Sequence, residues 1–300
     1  MSRNNEERLG ATSQVETPVA PIVEPPPAPT TGATLGQGSV GLNFVVPTEF
    51  VELPSGGEFY PPDHPLHGED TVEIRHMTAR EEEILTSRTL LKKGVALDRL
   101  IESVLVNKQI KPDSLLVGDK NAILIMSRAV AYGPDYTTRV TCPECMATSK
   151  HTFNLMAAQH EAMEGSEEET VQVYTRTDNN TFLLTLPRTN VQVEVRLLTG
   201  ADERWLTKTM ERKKKSKSGI DSVVAEQMRL FIVSLNGITD KTAINKFINS
   251  MPAADSRFLR NTYAELSPNI DLTQDFTCPE CGETSEMEVP FTAEFFWPKQ

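Results

Sequence analysis

Cysteine is scarce in this sequence, at four in 300 residues, and tryptophan scarcer still, at two. Four cysteines cannot staple a chain of this length as a disulfide scaffold, so their spacing has to decide what they do. Long apolar runs are missing as well. The longest aliphatic run, Ala122 to Met126, is far short of the roughly 20 residues that span a bilayer, and the first fifteen residues are polar and charged. Neither a transmembrane helix nor a signal peptide is indicated. A positive excess is also lacking: 42 acidic against 30 basic side chains give a net charge of −12. That balance argues against nucleic acid as the main partner, because binding phosphate backbones needs a concentrated positive field. What the chain does have, 38 % hydrophobic and 24 % charged residues, is enough for one large globular domain or two ordinary ones.

Aromatic residues are absent from residues 1–43, where prolines stand at 18, 21, 25, 26, 27 and 29. Such a stretch cannot bury enough apolar area to offset its ordering entropy, which predicts a disordered, polyproline-like arm. A passive tail and a tether that orders on a partner are both open to it. From Phe44 the composition turns to strand and turn patterns, in Phe44–Val46 and Phe50–Leu53 followed by Pro54-Ser55-Gly56-Gly57. Val72–Met77 alternates again and runs into Thr78, with Glu81 three residues on. That is a capping-box signature, predicting a helix from Thr78 to about Lys92-Lys93-Gly94. Helices are expected across Ala96–Val106 and Asp119–Ala131, then a strand over Tyr136–Thr141.

The second half repeats this order. Val193–Thr199 matches Val72–Thr78 at a constant offset of 121, and Leu206 matches Leu85 at the same offset. Leu186-Pro187 answers Leu53-Pro54, and helices are expected over Ala201–Lys215, Ser222–Leu235, Lys241–Ser250 and Ala254–Leu266. Thr141-Cys142-Pro143-Glu144-Cys145 recurs as Thr277-Cys278-Pro279-Glu280-Cys281, at an offset of 136. The 15 extra residues fit an exposed loop around Lys213–Gly219. The fold class expected is therefore α+β: a disordered arm (1–43), a first repeat (44–165) and a second (170–300). Each repeat ends in a CPEC hairpin, and the two are related by a pseudo-two-fold axis.

A CxxC loop presents two thiolates to one tetrahedral metal, and two such loops complete four-sulfur coordination. Cys142, Cys145, Cys278 and Cys281 are thus the expected ligands of one structural Zn2+ per chain, each repeat supplying half of a zinc-ribbon-like site. Gly282 suits a knuckle in which backbone approaches sulfur, whereas the first copy has Met146 there and a less regular turn is expected. A redox pair would sit at a helix N-terminus. Here each pair lies between strands, with Glu144 and Glu280 opposing thiolate formation. A thiol oxidoreductase and a zinc-ribbon nucleic-acid-binding protein stand as alternatives, the latter resting on the CPEC loops and the Lys213–Lys217 run.

Other apparent signals read as structure. Glu81-Glu82-Glu83 complements a helix dipole. His64 and His67 lie in a proline-rich turn, and His76, His151 and His160 lack ligand spacing. No nucleophile, base and orienting group are suggestively spaced, so nothing argues for an enzyme. At the C-terminus Phe291, Phe295, Phe296, Trp297 and Pro298 crowd together, and a segment this aromatic must be docked. It either closes the core beside the second hairpin or binds a partner through Phe295, Phe296, Trp297 and Pro298.

Three segments together carry a resemblance: Phe50–Gly57, Ala122–Arg128 leading through Tyr132-Gly133 and Tyr136 into Val140–Cys145, and Phe295–Pro298. From about Phe44 to the C-terminus the chain resembles the T-even-type bacteriophage baseplate hub protein family. The resemblance implies a virion structural or assembly protein of a contractile tail, with other baseplate or tail hub proteins as partners and possible self-association. It also implies synthesis in the host bacterial cytoplasm, where thiols stay reduced, and residence in the tail baseplate.

Overall fold

The computed structural model describes residues 45–157, 174–216, 223–290 and 295–296. The proline-rich arm, His160, residues 217–222, Phe291, Trp297 and Pro298 lie outside the described residues. Period-two alternation produces the first element pair: β1 (Thr48–Glu52) runs antiparallel to β2 (Thr71–Arg75), with Val51, Val72 and Ile74 on the buried face. The capping box forms as expected. Glu81 accepts from both the N–H and Oγ1 of Thr78, at 2.8 and 2.7 Å. The helix it starts is shorter than expected, however. α1 (Ala79–Thr86) stops because Ser87 leaves helical geometry, at φ −66° and ψ 106°, and accepts from Leu90 to cap a separate α2 (Arg88–Lys92). α3 (Ala96–Val104) follows, and then α4 (Val117–Tyr132), in which every residue of the Ala122–Met126 run is buried. A helix this apolar on all sides belongs in the centre of a core. β3 (Asp135–Thr141) and β4 (Thr148–Asn154) form an antiparallel pair after it.

β5 (Tyr174–Arg176), β6 (Thr181–Thr185), β7 (Gln192–Arg196) and β8 (Ile232–Leu235) form one four-stranded sheet in that order. The helices here are α5 (Gly200–Ser216), α6 (Val223–Phe231), α7 (Lys241–Ser250) and α8 (Ala253–Leu266). β9 (Thr273–Thr277) and β10 (Thr284–Glu288) close the order as another antiparallel pair. Two expectations need correcting. The helix expected to reach Leu235 ends at Phe231, since Ile232-Val233 is β-branched and Ile232, Ser234 and Leu235 pair with β7. The lysine-rich loop begins inside α5, where Lys213 reaches the buried Glu226 at 2.7 Å.

Corresponding strands and side chains recur across the halves. β6 pairs with β7 from Thr181↔Arg196 to Thr185↔Gln192, the register of β1 and β2 from Thr48↔Arg75 to Glu52↔Thr71. Arg75 holds Glu81 through two hydrogen bonds of 3.1 and 2.6 Å, and Arg196 holds Asp202 the same way at 2.8 and 2.7 Å. Thr199 donates its N–H and hydroxyl to Asp202 as Thr78 does to Glu81. Buried Asp119 in the first turn of α4 accepts from Ser55 N–H at 3.0 Å, and buried Asp255 in the first turn of α8 accepts from Arg188 N–H at 2.8 Å. Ser55 and Arg188 each follow a Leu-Pro pair. Glu81 therefore does more than complement a helix dipole: it is fully buried and ties Arg75, Ser103 and Thr78 together.

A single apolar core draws side chains from both halves. Where they meet, Val117 N–H donates to Leu198 O at 3.1 Å and Gly200 N–H to Leu115 O at 2.8 Å. Gly118 and Gly200 permit this approach. A Cβ on Gly118 would lie 1.9 Å from the Pro268 carbonyl oxygen, and one on Gly200 2.1 Å from that of Pro112. Charges cover the seam: Lys120 Nζ lies 2.8 Å from Asp98 and 2.6 Å from Glu203, while Arg204 pairs with both Asp98 and Asp113. Among the described residues, no helix is long and apolar enough to cross a membrane.

Candidate metal centre

The strand pair β3–β4 leads through Cys142 to Met146, and β9–β10 leads through Cys278 to Gly282. In both turns the first cysteine N–H donates across the loop, from Cys142 to Ala147 O at 2.9 Å and from Cys278 to Glu283 O at 2.8 Å. A second bond returns to the first cysteine's carbonyl, from Met146 N–H at 3.1 Å and from Gly282 N–H at 2.9 Å. This geometry needs a left-handed residue after the second cysteine, and both turns supply it: Gly282 at φ +74° and Met146 at φ +60°. The expected irregularity of the first turn is absent. Met146 adopts the strained conformation instead, with its side chain 71 % exposed.

Strain at a non-glycine left-handed residue costs about 1–2 kcal/mol, partly offset by the extra freedom glycine gives the unfolded chain. Met146→Gly is therefore expected to stabilise the protein by about 0.5–1 kcal/mol, read as an upward shift of the denaturant midpoint. A lower midpoint would show that the Met146 side chain contributes packing that its exposure conceals.

The two turns face each other and bring the four sulfurs within 4.8 Å of one another. Cys142 Sγ lies 3.8 Å from Cys281 Sγ, and Cys145 Sγ 3.7 Å from Cys278 Sγ. A disulfide would require about 2.05 Å. A tetrahedron with metal–sulfur bonds of about 2.3 Å has edges of about 3.8 Å. The spacing thus fits a four-thiolate metal site, with one buried and one exposed cysteine from each turn. Backbone amides serve the sulfurs: the N–H groups of Cys281 and Glu280 point at Cys278, that of Ala147 at Cys145 and that of Glu283 at Cys281. The amides of Cys281 and Glu280 hold the Cys278 thiol down at about 7. At Cys281 the Glu283 amide favours the thiolate, but burial and the surrounding sulfurs outweigh it and push the thiol up to about 12. Four sulfurs this close ionise together only around a cation.

Neither turn opens onto a helix N-terminus, the position that activates a redox thiol. The surroundings brace the site instead. Asn154 and Gln274 exchange hydrogen bonds of 3.0 and 2.8 Å between β4 and β9, and His151 meets Phe276 edge-on at 5.2 Å.

Phe295 and Phe296 are buried within the chain. Phe295 packs edge-on against Tyr136, 5.1 Å between centroids, and its carbonyl accepts from Arg128 Nε at 2.9 Å. These contacts are with the first half. Arg128, itself buried, also donates to the carbonyls of Gly133 and Asp135 and lies 5.5 Å from the Tyr132 ring centre. Phe295→Ala is expected to cost about 3–5 kcal/mol, measured as loss of unfolding free energy in urea. A loss under about 1 kcal/mol would show that the segment is not needed by the fold. Sequence reasoning did not find Arg128 in this role. Its signal is weak, a single arginine in an otherwise apolar run.

The architecture defines a class: a mixed α+β protein with a four-cysteine cluster between paired strand turns. Comparison with protein families narrows it, because the model of the T4 bacteriophage base plate protein family matches residues 46–297. The chain belongs to this family and is a T4-type phage baseplate protein. Comparisons with curated proteins and with solved structures find no match.

Proposed function

We propose that this protein is a non-enzymatic structural component or assembly factor of the tail baseplate hub. In this reading two copies of one α+β unit, 44–165 and 170–300, are clamped by a shared structural zinc. Cys142, Cys145, Cys278 and Cys281 hold the ion, and a closed four-sulfur site of this kind supplies folding energy rather than a reactive position. The observation that carries the zinc is the sulfur spacing of 3.7–3.8 Å between turns drawn from the two halves of the sequence. The repeated register of β1–β2 and β6–β7, and the matched Arg75–Glu81 and Arg196–Asp202 pairs, support duplication. Family membership supports association with other phage tail proteins, and the proposed partners are baseplate or hub subunits, with self-association as a further mode. The protein is made in the host cytoplasm, where reduced thiols can load zinc, and acts at the virion tail baseplate, with the proline-rich arm as a tether. Phe295 and Phe296 serve the fold, so a partner contact from this end falls to Trp297 and Pro298.

The functional reading is tested by mass spectrometry of purified baseplate precursors and finished tails from infected cells. Presence in precursors supports the reading, and presence or absence in finished tails separates component from assembly factor. Absence from both rejects it.

A further inference from the structure

Period-two alternation buries Tyr136, Val140 and Phe153 on one face of β3–β4 and turns the other to solvent, where Thr137 lies opposite Thr152, Arg139 opposite Lys150 and Thr141 opposite Thr148. β9–β10 carries the same arrangement 136 positions further on. Its outer face pairs Thr273 with Glu288, Asp275 with Glu286 and Thr277 with Thr284. Threonine hydroxyls meet across both faces, from Thr137 to Thr152 at 2.8 Å and from Thr277 to Thr284 at 3.1 Å. What differs is the sign of the charge. Arg139 and Lys150 are two cations set directly across a ladder, and Asp275 and Glu286 are two anions at the equivalent places. Like charges directly opposite each other destabilise a strand pair. Among the described residues none of these four side chains has an ion-pair or hydrogen-bond partner.

Within one chain the two pairs do not relieve each other. The inner faces of β3–β4 and β9–β10 meet, His151 edge-on to Phe276 at 5.2 Å, so the outer faces point away from one another, one basic and one acidic. Asp135 is the one acid on the basic face, and it lies opposite Asn154 at the end of the ladder furthest from the turn. A second copy supplies what the first lacks. The basic face of one copy laid on the acidic face of the next sets cations against anions, with flanking threonines on both sides. Because two different faces meet, the contact is heterologous, and every copy added leaves one face of each sign open. A two-stranded face is far smaller than the roughly 800 Å² per partner of a stable interface, so the contact is weak alone and acts where copies are concentrated or held by other subunits.

We propose that this chain associates head to tail with further copies of itself, Arg139 and Lys150 of one copy docking on Asp275 and Glu286 of the next. The proposal gives a definite form to the self-association named above and rests on that part of the reading alone; a chain that stays monomeric overturns it without touching a place in the baseplate, which the tail preparations decide. Sedimentation of the full-length protein is followed up to millimolar concentration at about 0.1 M salt, where repulsion between chains of net charge −12 is screened beyond about 10 Å. Reversible growth with concentration is expected, and its loss at about 1 M salt, where the screening length falls to about 3 Å. Arg139→Glu with Lys150→Glu leaves a chain with two acidic faces, and Asp275→Lys with Glu286→Lys a chain with two basic ones. Each exchanges one repelling pair for another at the surface, so metal content should be unchanged and the melting temperature should stay within a few degrees. Each variant alone should sediment as a monomer, whereas an equimolar mixture should associate at least tenfold more strongly than either. Lys150→Gln separates contact from stability: it removes a like-charge repulsion and should not lower the melting temperature, yet should weaken association at least fivefold. A monomer at millimolar concentration of the unmodified protein overturns the proposal. So does a reversed variant that associates as strongly as the unmodified protein, or a mixture no stronger than its parts.

Discussion

Cys278→Ser is expected to strip the metal from the protein and to lower its melting temperature by about 10 °C. A ligand bound at a thousand times its dissociation constant stabilises by about 4 kcal/mol, and in a domain of this size each kcal/mol moves Tm by about 2–4 °C. The effect is smaller than in isolated zinc fingers, where metal binding supplies the whole of folding, because one apolar core spans both halves here without it. Chelation of the unmodified protein should give the same loss. The sharper expectation concerns pairs of substitutions. If the four sulfurs hold one ion, Cys145→Ser and Cys278→Ser come from opposite turns yet each forfeits the same metal, so the double variant should cost little more than either alone. Metal content should be one per chain, and zinc, unlike iron, leaves the protein colourless. Additive losses, or two ions per chain, would contradict the shared site.

The second large effect concerns Glu81. Glu81→Ala is expected to cost about 3–5 kcal/mol, because it leaves the largely buried guanidinium of Arg75 without its partner. Asp202→Ala, at the matching position, should cost only about 1–2 kcal/mol. There the arginine side chain remains 37 % exposed and can recover water. Urea midpoints of the two variants compare the sites directly, and equal losses would show that exposure does not decide the cost. Acid provides an independent measure. Burial alone would raise Glu81, but hydrogen bonds from Arg75, Ser103 and Thr78 outweigh it and hold the carboxyl at about 2. Its contribution to stability is therefore complete above the unfolded value near 4.5 and is lost as pH falls from there toward 2. Glu81→Gln should flatten that part of the stability profile. An unchanged slope between pH 4.5 and 2 would show that other carboxylates govern acid unfolding.

Local signals in the sequence survive in the structure wherever local chemistry decides the outcome. Thr78 and Glu81 form their capping box, and α7 ends where its pattern does, at Ser250. Ser87 hides its helix break because a serine inside a run of helix formers carries no warning until its hydroxyl caps Leu90. Phe231–Leu235 was ambiguous by nature, since a short apolar run suits a strand or a buried helix and only its partner β7 settles which. β5, at three residues, is too short to have a readable period. The cysteine cluster was legible because spacing and repetition both pointed to it. The Arg75–Glu81 pair was within reach by the same reasoning: the offset of 121 that aligns Thr78 with Thr199 also aligns Arg75 with Arg196 and Glu81 with Asp202. The Ser55–Asp119 bond was not legible, because 64 positions separate residues that only folding brings together.

Each turn gives the cluster one buried and one exposed cysteine: Cys142 and Cys278 buried, Cys145 and Cys281 exposed. The difference imposes a sequence of events on any attack. An oxidant or alkylating reagent is expected to reach the exposed cysteines first, and an ion held by all four would then rest on Cys142 and Cys278, one from each half. Loss of metal should accordingly proceed in two kinetic phases, a fast one set by reagent concentration and a slow one set by the opening of the protein. Between them should lie a species in which the halves remain tethered after half the cage has gone.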